Sequence, residues 1–157
     1  MVLSVGQPAT DFTLIDTDMK SHTLSALRGK KAVIAFIPAA FTGVCSKEFC
    51  SFRDSLGRFK ELDAAIIGIS VDAPFSNKAF ANANQLNFPI LSDYTRAVAK
   101  SYAGVYENFA GMNGYTAAKR SVFVVDREGI VRYAWISENP GMEPPYAEVQ
   151  RAVSSIP

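Results

Sequence analysis

A chain of 157 residues, 48% of them hydrophobic and 20% charged, has the make-up of one ordinary globular domain, expected here to span residues 1–157. Its 16 basic and 15 acidic side chains leave no basic excess to neutralise phosphates, which excludes nucleic acid and anionic membranes as expected partners. The opening MVLSVGQPATDF lacks the charged and apolar regions of a signal peptide, and no apolar run reaches the roughly 18 residues of a membrane span, so a cytoplasmic protein is expected.

Two short β-like runs come first, 11-DFTLID-16 and 22-HTLSAL-27, followed by a turn in 28-RGKK-31. The continuous apolar run 32-AVIAFI-37 reads as a strand buried on both faces. After a loop in 38-PAAFTGV-44, residues 43–62 carry a helical pattern, and 64-AAIIGISVD-72 is a second buried strand, which together make a βαβ unit. A helix over 75–86 leads to a strand in 88-FPILSD-93 and a helix over 95–102. The segment 104-GVYENFAGMNGYTAAK-119 has three glycines and little periodicity and reads as loop. The runs 121-SVFVVD-126 and 130-IVRYAWI-136 flank 127-REG-129 as a hairpin. A loop over 138–145 and a helix over 146–156 close the chain. Parallel strands joined by helices, then an antiparallel pair, predict a mixed α/β sheet with helices on both faces.

The chain has two cysteines and one histidine, too few for a disulfide framework or a zinc site. Within 43–62 the apolar residues Phe49, Phe52, Leu56 and Phe59 recur at spacings of 3, 4 and 3 and define one helical face. One turn before Phe49 stands Cys45, in the first turn and on the inward face, with Cys50 rotated roughly 140° from it. A first turn carries unpaired N–H groups and the positive end of the helix dipole, which favour a thiolate. Cys45 is therefore a candidate nucleophile, at the carboxyl end of a buried strand where sites in open α/β sheets usually lie; it equally fits a small hydrophobe that begins the stripe. Thr42 stands where an N-cap is expected, and Pro38 where a strand ends. Residues five apart on an intact helix have Cα atoms roughly 8.6 Å apart, beyond the approximately 7 Å that a disulfide spans, so a Cys45–Cys50 bond requires the first turns to unwind. Gly43 lowers the helical stability of that turn.

These residues resemble a known family. Pro38-x-x-x-Thr42-x-x-Cys45 matches the P-x-x-x-T-x-x-C motif of the peroxiredoxins, and Arg120, opening the strand 120-RSVFVVD-126, matches the arginine that family supplies from a later strand. The likeness extends to 6-GQPATDFTL-14, 66-IIGISVD-72, the FPILSD segment and the REG hairpin, and it implies a thioredoxin-like fold. It further implies that Cys45 is the peroxidatic cysteine, whose thiolate attacks a hydroperoxide to leave a sulfenic acid and water or an alcohol. Thr42 and the Cys45 N–H then orient the peroxide, Arg120 favours the thiolate and the lengthening bond, and Pro38 shields the sulfur. Glu48 matches a glutamate that positions the arginine, and is also an ordinary acid near a helix start. No cofactor or metal is implied. The spacing of Cys45 and Cys50 matches the Q-type, bacterioferritin-comigratory-like members, whose second cysteine resolves the sulfenic acid within one chain, to be reduced by thioredoxin or a glutaredoxin-like donor. The wording FTGVC also resembles the alkyl hydroperoxide reductase E type, some of which use one cysteine and an external thiol. Either a monomer or a homodimer is compatible.

Two other functions compete. A peroxide sensor uses the same sulfenic acid but relays oxidation to a partner protein. A thioredoxin-like oxidoreductase acting on protein disulfides is disfavoured by the absence of C-x-x-C. His22 reads as a surface or turn residue, and Trp135 and the tyrosines as core or hairpin packing.

Overall fold

The computed structural model describes residues 2–157. Inside the sheet lies β3 (Lys31–Phe36), all six residues of which are buried, as expected for an apolar run covered on both faces. It pairs in parallel with β4 (Ala64–Ser70), and α1 (Gly43–Glu61) makes the crossover between them. Helix α2 (Pro74–Ala83) follows, with proline in its first turn, where the missing N–H costs nothing. It leads to β5 (Ile90–Ser92), parallel to β4, and then to α3 (Ala97–Tyr102). The predicted hairpin is β8 (Ser121–Val125) with β9 (Val131–Ile136), and Gly129 in its connection takes φ +87°. The chain's last helix is α4 (Tyr146–Ser154).

Near the start, β1 (Thr13–Ile15) and β2 (Ser21–Thr23) form an antiparallel pair that joins the sheet at β5. The seven strands run in the order β2-β1-β5-β4-β3-β8-β9. One face of the sheet carries the aromatic stripe of α1 together with Phe80 of α2 and Val149 and Val153 of α4; the other packs against Tyr102 of α3 and the N-terminal segment. This is the expected mixed α/β sheet with helices on both faces. Among the described residues no helix is long and apolar enough to cross a membrane.

Two local expectations are corrected. Of 22-HTLSAL-27, only the beginning is strand; Leu24–Leu27 is a 3₁₀ turn that buries Leu24, so its apolar residues follow a tight-turn rather than a period-two pattern. The segment 104–119 is not wholly loop. Two short strands, β6 (Val105–Tyr106) and β7 (Ala117–Ala118), pair antiparallel inside it, and pairs two residues long carry no readable periodicity.

Gly68 in β4 allows α1 to approach the sheet closely. A Cβ placed there stands 2.7 Å from the Phe49 ring and 3.3 Å from Phe88, and Phe49 is fully buried. Gly68→Ala is expected to destabilise the fold by about 1–3 kcal/mol through overpacking, read as a lowered denaturation midpoint at unchanged slope.

Candidate active site

After β3 the chain keeps one more ladder bond, Ile37 N–H to Ile69 C=O at 2.9 Å, and turns at the buried Pro38. The turn is pinned from β4's carboxyl end, where Asp72 Oδ2 accepts the Ala40 N–H at 2.8 Å. Phe41 takes φ +67° and lays its ring edge-on to Phe80, centroids 5.3 Å apart. Thr42 occupies the N-cap position in an extended conformation, but its hydroxyl does not cap the helix. Oγ1 instead donates to the Ala39 carbonyl at 3.0 Å, which leaves the oxygen's lone pairs to accept. The first helical bond is Ser46 N–H to Thr42 C=O at 3.0 Å. The N–H groups of Gly43, Val44 and Cys45 therefore precede the ladder and point out of the helix end.

Arg120 reaches this place by register. Strands β3 and β8 are antiparallel neighbours with Phe36 opposite Ser121, so the residue before β8 stands beside the loop that leaves β3. Its side chain is 2% exposed, and its guanidinium is divided between three groups. Nε donates to the Pro140 carbonyl at 2.9 Å, Nη2 donates to Cys45 Sγ at 3.1 Å, and Nη1 lies 3.7 Å from Glu48 Oε1. Its backbone N–H donates to Tyr106 Oη at 3.2 Å, and that hydroxyl donates to the Ser137 carbonyl at 2.7 Å. Cys45 and Glu48 are both fully buried, one turn apart on α1.

Among the described residues, neither carboxyl oxygen of Glu48 has a hydrogen-bond partner, and neither does Arg120 Nη1. Burial pushes Glu48 up to about 8; Arg120 pulls the other way without restoring the usual carboxylate range, and Glu143 adds to the rise. An acid whose folded value lies above its unfolded one contributes stability that is fully present below the unfolded value and is lost as pH rises through the folded one. Between about pH 4.5 and 8, denaturation of the reduced protein is thus expected to become easier with rising pH, by up to about 1.4 kcal/mol per unit from this group. Glu48→Gln is expected to flatten that slope; an unchanged slope is the contrary result.

Cys50 stands apart from this cluster. It is half-buried, its thiol donating to Asn84 Oδ1 at 3.5 Å at the C-terminal end of α2, where Arg53 also donates to the Asn84 carbonyl at 2.6 Å. Both thiols are free, on one uninterrupted helix. The structure thus brings Cys45, Glu48 and Arg120 together with Thr42 at the helix start, keeps Pro38 buried in the loop that leads there, and leaves Cys50 on the side turned to α2. His22 pairs with Asp16 at 2.7 Å on β2, away from the site. Sequence reasoning missed Asp72, Pro140 and Asn84, and it placed Tyr106 among packing residues although its hydroxyl holds the Arg120 backbone. Asp72 had a signal, its place at the carboxyl end of a buried strand next to the loop; the others sit in loops or at a helix end without a pattern.

A thiol held against a buried guanidinium, beyond the carboxyl end of a buried strand of a thioredoxin-like sheet, suits a cysteine-based redox protein. The model of the AhpC/TSA family matches residues 5–134, and the chain belongs to that family. It is similar to alkyl hydroperoxide reductase E of Mycobacterium tuberculosis, with 42% identity over 143 residues that cover 89% of each chain. It is 39% identical over 127 residues to the chloroplastic peroxiredoxin Q of Populus jackii, covering 81% of this chain and 57% of that one. Among solved structures, the peroxidoxin BcpB of Mycobacterium tuberculosis superposes with a TM-score of 0.85 at 30% identity, over 99% of both chains. A cysteine-to-serine mutant of the PrxQ of Xylella fastidiosa, at 22% identity and a TM-score of 0.86 over 99% of this chain and 98% of that one, shows the same fold. The protein is a peroxiredoxin, a thiol-dependent peroxidase that acts on a peroxide and is returned to its reduced form by a thiol reductant.

Proposed function

We propose that Cys45 is the peroxidatic nucleophile of a single domain spanning the chain, acting on hydrogen peroxide and organic hydroperoxides. The observation that carries this is the 3.1 Å contact from Arg120 to Cys45 Sγ at a helix end with free N–H groups. A thiolate there has a fixed cation and helix N–H groups as partners. It attacks one peroxide oxygen; the S–O bond forms as the O–O bond breaks, leaving a sulfenic acid on Cys45 and water or an alcohol as product. Thr42 Oγ1, its own proton given to Ala39, accepts the peroxide O–H and orients it. The Cys45 N–H and Arg120 hold the oxygen on which charge develops. Pro38, buried where the loop begins, keeps water from the sulfur, and Glu48 braces the guanidinium.

Cys50 resolves the sulfenic acid: its thiol displaces water to give an intramolecular disulfide, which thioredoxin or a glutaredoxin-like donor then reduces. Because α1 is unbroken from Gly43 to Glu61, this step requires its first turns to unwind and the Cys50–Asn84 contact to break. A thiol-driven cycle suits the reducing cytoplasm, and the chain works as a monomer or homodimer. One observation favours a second reading. Cys50 is engaged by Asn84 on an intact helix, which suits a one-cysteine cycle completed by an external thiol. One equivalent of hydrogen peroxide added to the reduced protein decides between them. The expected result is loss of two mass units and both thiols in the wild type, and a trapped sulfenic acid in Cys50→Ser. A wild type that gains one oxygen and retains one thiol establishes the one-cysteine cycle instead.

A further inference from the structure

One guanidinium serves two buried acids. Arg120 Nη2 meets Cys45 Sγ at 3.1 Å and Nη1 faces Glu48 Oε1 at 3.7 Å, while Nε is taken by the Pro140 carbonyl. Glu48 and Cys45 are fully buried and Arg120 nearly so. The other ionisable groups that face Glu48 are Glu143, in the loop after β9, and Tyr146 of α4; Tyr106 faces Arg120 and Cys45. None of these is a second cation. The enclosed cluster holds one positive charge, and a second buried anion without a cation or donors is strongly disfavoured. Among the described residues the one cation beside the Glu48 carboxyl is the same Arg120, at 3.7 Å, that already donates to Cys45 Sγ at 3.1 Å, so two anions there would compete for a single partner.

We infer that Glu48 and Cys45 share a single negative charge, so that Glu48 holds a proton while Cys45 is a thiolate and releases it when Cys45 becomes a sulfenic acid. This sharing presupposes that Cys45 is the nucleophile proposed above. The balance is simple. Sulfur gives an electron pair to one peroxide oxygen and is oxidised, the O–O bond breaks, and the leaving oxygen departs with the bonding pair and needs one proton. The sulfenic acid is neutral, so the Arg120 charge is left without its thiolate, and Glu48 ionises to replace it. The proton lost by the carboxyl equals the proton gained by the leaving oxygen, and the cluster stays neutral before and after. A Glu48 that only orients Arg120 behaves otherwise: ionised throughout, it leaves the leaving oxygen to draw one proton from solution for every sulfenic acid formed.

Counting protons separates the two. Reduced Cys50→Ser, in which the sulfenic acid persists, is mixed with one equivalent of hydrogen peroxide at about pH 7, below the value of about 8 to which burial pushes Glu48, in weak buffer with an indicator. Ultraviolet thiolate absorbance beforehand reports Cys45 ionised, and mass after dimedone trapping reports sulfenic acid formed. Near-zero proton uptake per sulfenic acid is expected in Cys50→Ser, and uptake of about one in Cys50→Ser/Glu48→Gln. Uptake of about one proton in Cys50→Ser itself overturns the inference and needs no Glu48 variant to read. Infrared difference spectra of Cys50→Ser are expected to lose a protonated-carboxyl band on oxidation; a band that stays overturns it as well, since the sulfenic acid has then ionised in place of Glu48. If no sulfenic acid forms, the assignment of Cys45 as nucleophile falls first, and this inference with it.

Discussion

Serine at position 45 is expected to reduce peroxide consumption to the rate of the buffer, with thermal unfolding little changed. The hydroxyl occupies nearly the volume of the thiol and can still accept from Arg120 Nη2, which donates to Cys45 Sγ at 3.1 Å, so the packing against Phe49 and β3 is retained. What is lost is the nucleophile, because an alcohol neither ionises near neutral pH nor offers the polarisable electron pair that a thiolate sulfur gives to a peroxide oxygen. The chain has only one other cysteine. Turnover that survives in Cys45→Ser and disappears in Cys50→Ser would move the peroxidatic role to Cys50, and the site described above would then be structural.

The second large effect is expected at Arg120. Replacing it with methionine keeps an apolar stem of similar reach but removes all three donors, to Pro140, Cys45 and the side of Glu48. A fixed donor aimed at developing charge in a water-excluded site is worth about 10²–10³ in rate. The rate of sulfenic acid formation in Arg120→Met, followed by stopped-flow fluorescence under excess peroxide, is expected to fall by about that much. Arg120→Lys should recover little of it, since one ammonium cannot reproduce a planar fork held by three partners. A rate within a few-fold of the wild type in Arg120→Met would mean that the helix end alone stabilises the reacting oxygens.

Much of this site was legible because it obeys short-range rules. The spacing of Phe49, Phe52, Leu56 and Phe59 placed Cys45 on the inward face, and the structure finds all five buried there. The apolar runs of β3 and β4 and the REG hairpin are long enough to carry a period, and each is where pattern put it. What could not be read depends on contacts between distant loops. Nothing in 104-GVYENFAGMNGYTAAK-119 marks a two-residue pairing, or a Tyr106 hydroxyl that holds a backbone group fourteen residues on. Pro140 acts through its carbonyl, which every residue has. Thr42 stood at the position for a helix cap, yet a rotamer choice sends its hydroxyl to Ala39. Such choices are settled by packing around a side chain rather than by the identity of its neighbours in the chain.

The antiparallel seam between β3 and β8 sets how this protein tolerates change in length. Phe36 opposite Ser121 is the last pair of that ladder, and it sets side by side two parts of the chemistry that lie 75 residues apart in the chain. A single residue inserted inside either strand inverts the facing of everything beyond it and turns the guanidinium away from the sulfur. Within 104–119 the connection between β6 and β7 lies outside that ladder and can lengthen or shorten at small cost, whereas Tyr106 beside it, whose hydroxyl accepts the Arg120 N–H, stays fixed. Descendants of this chain are therefore free to acquire new surface there, while the two strands beneath the reacting sulfur stay fixed in number and order.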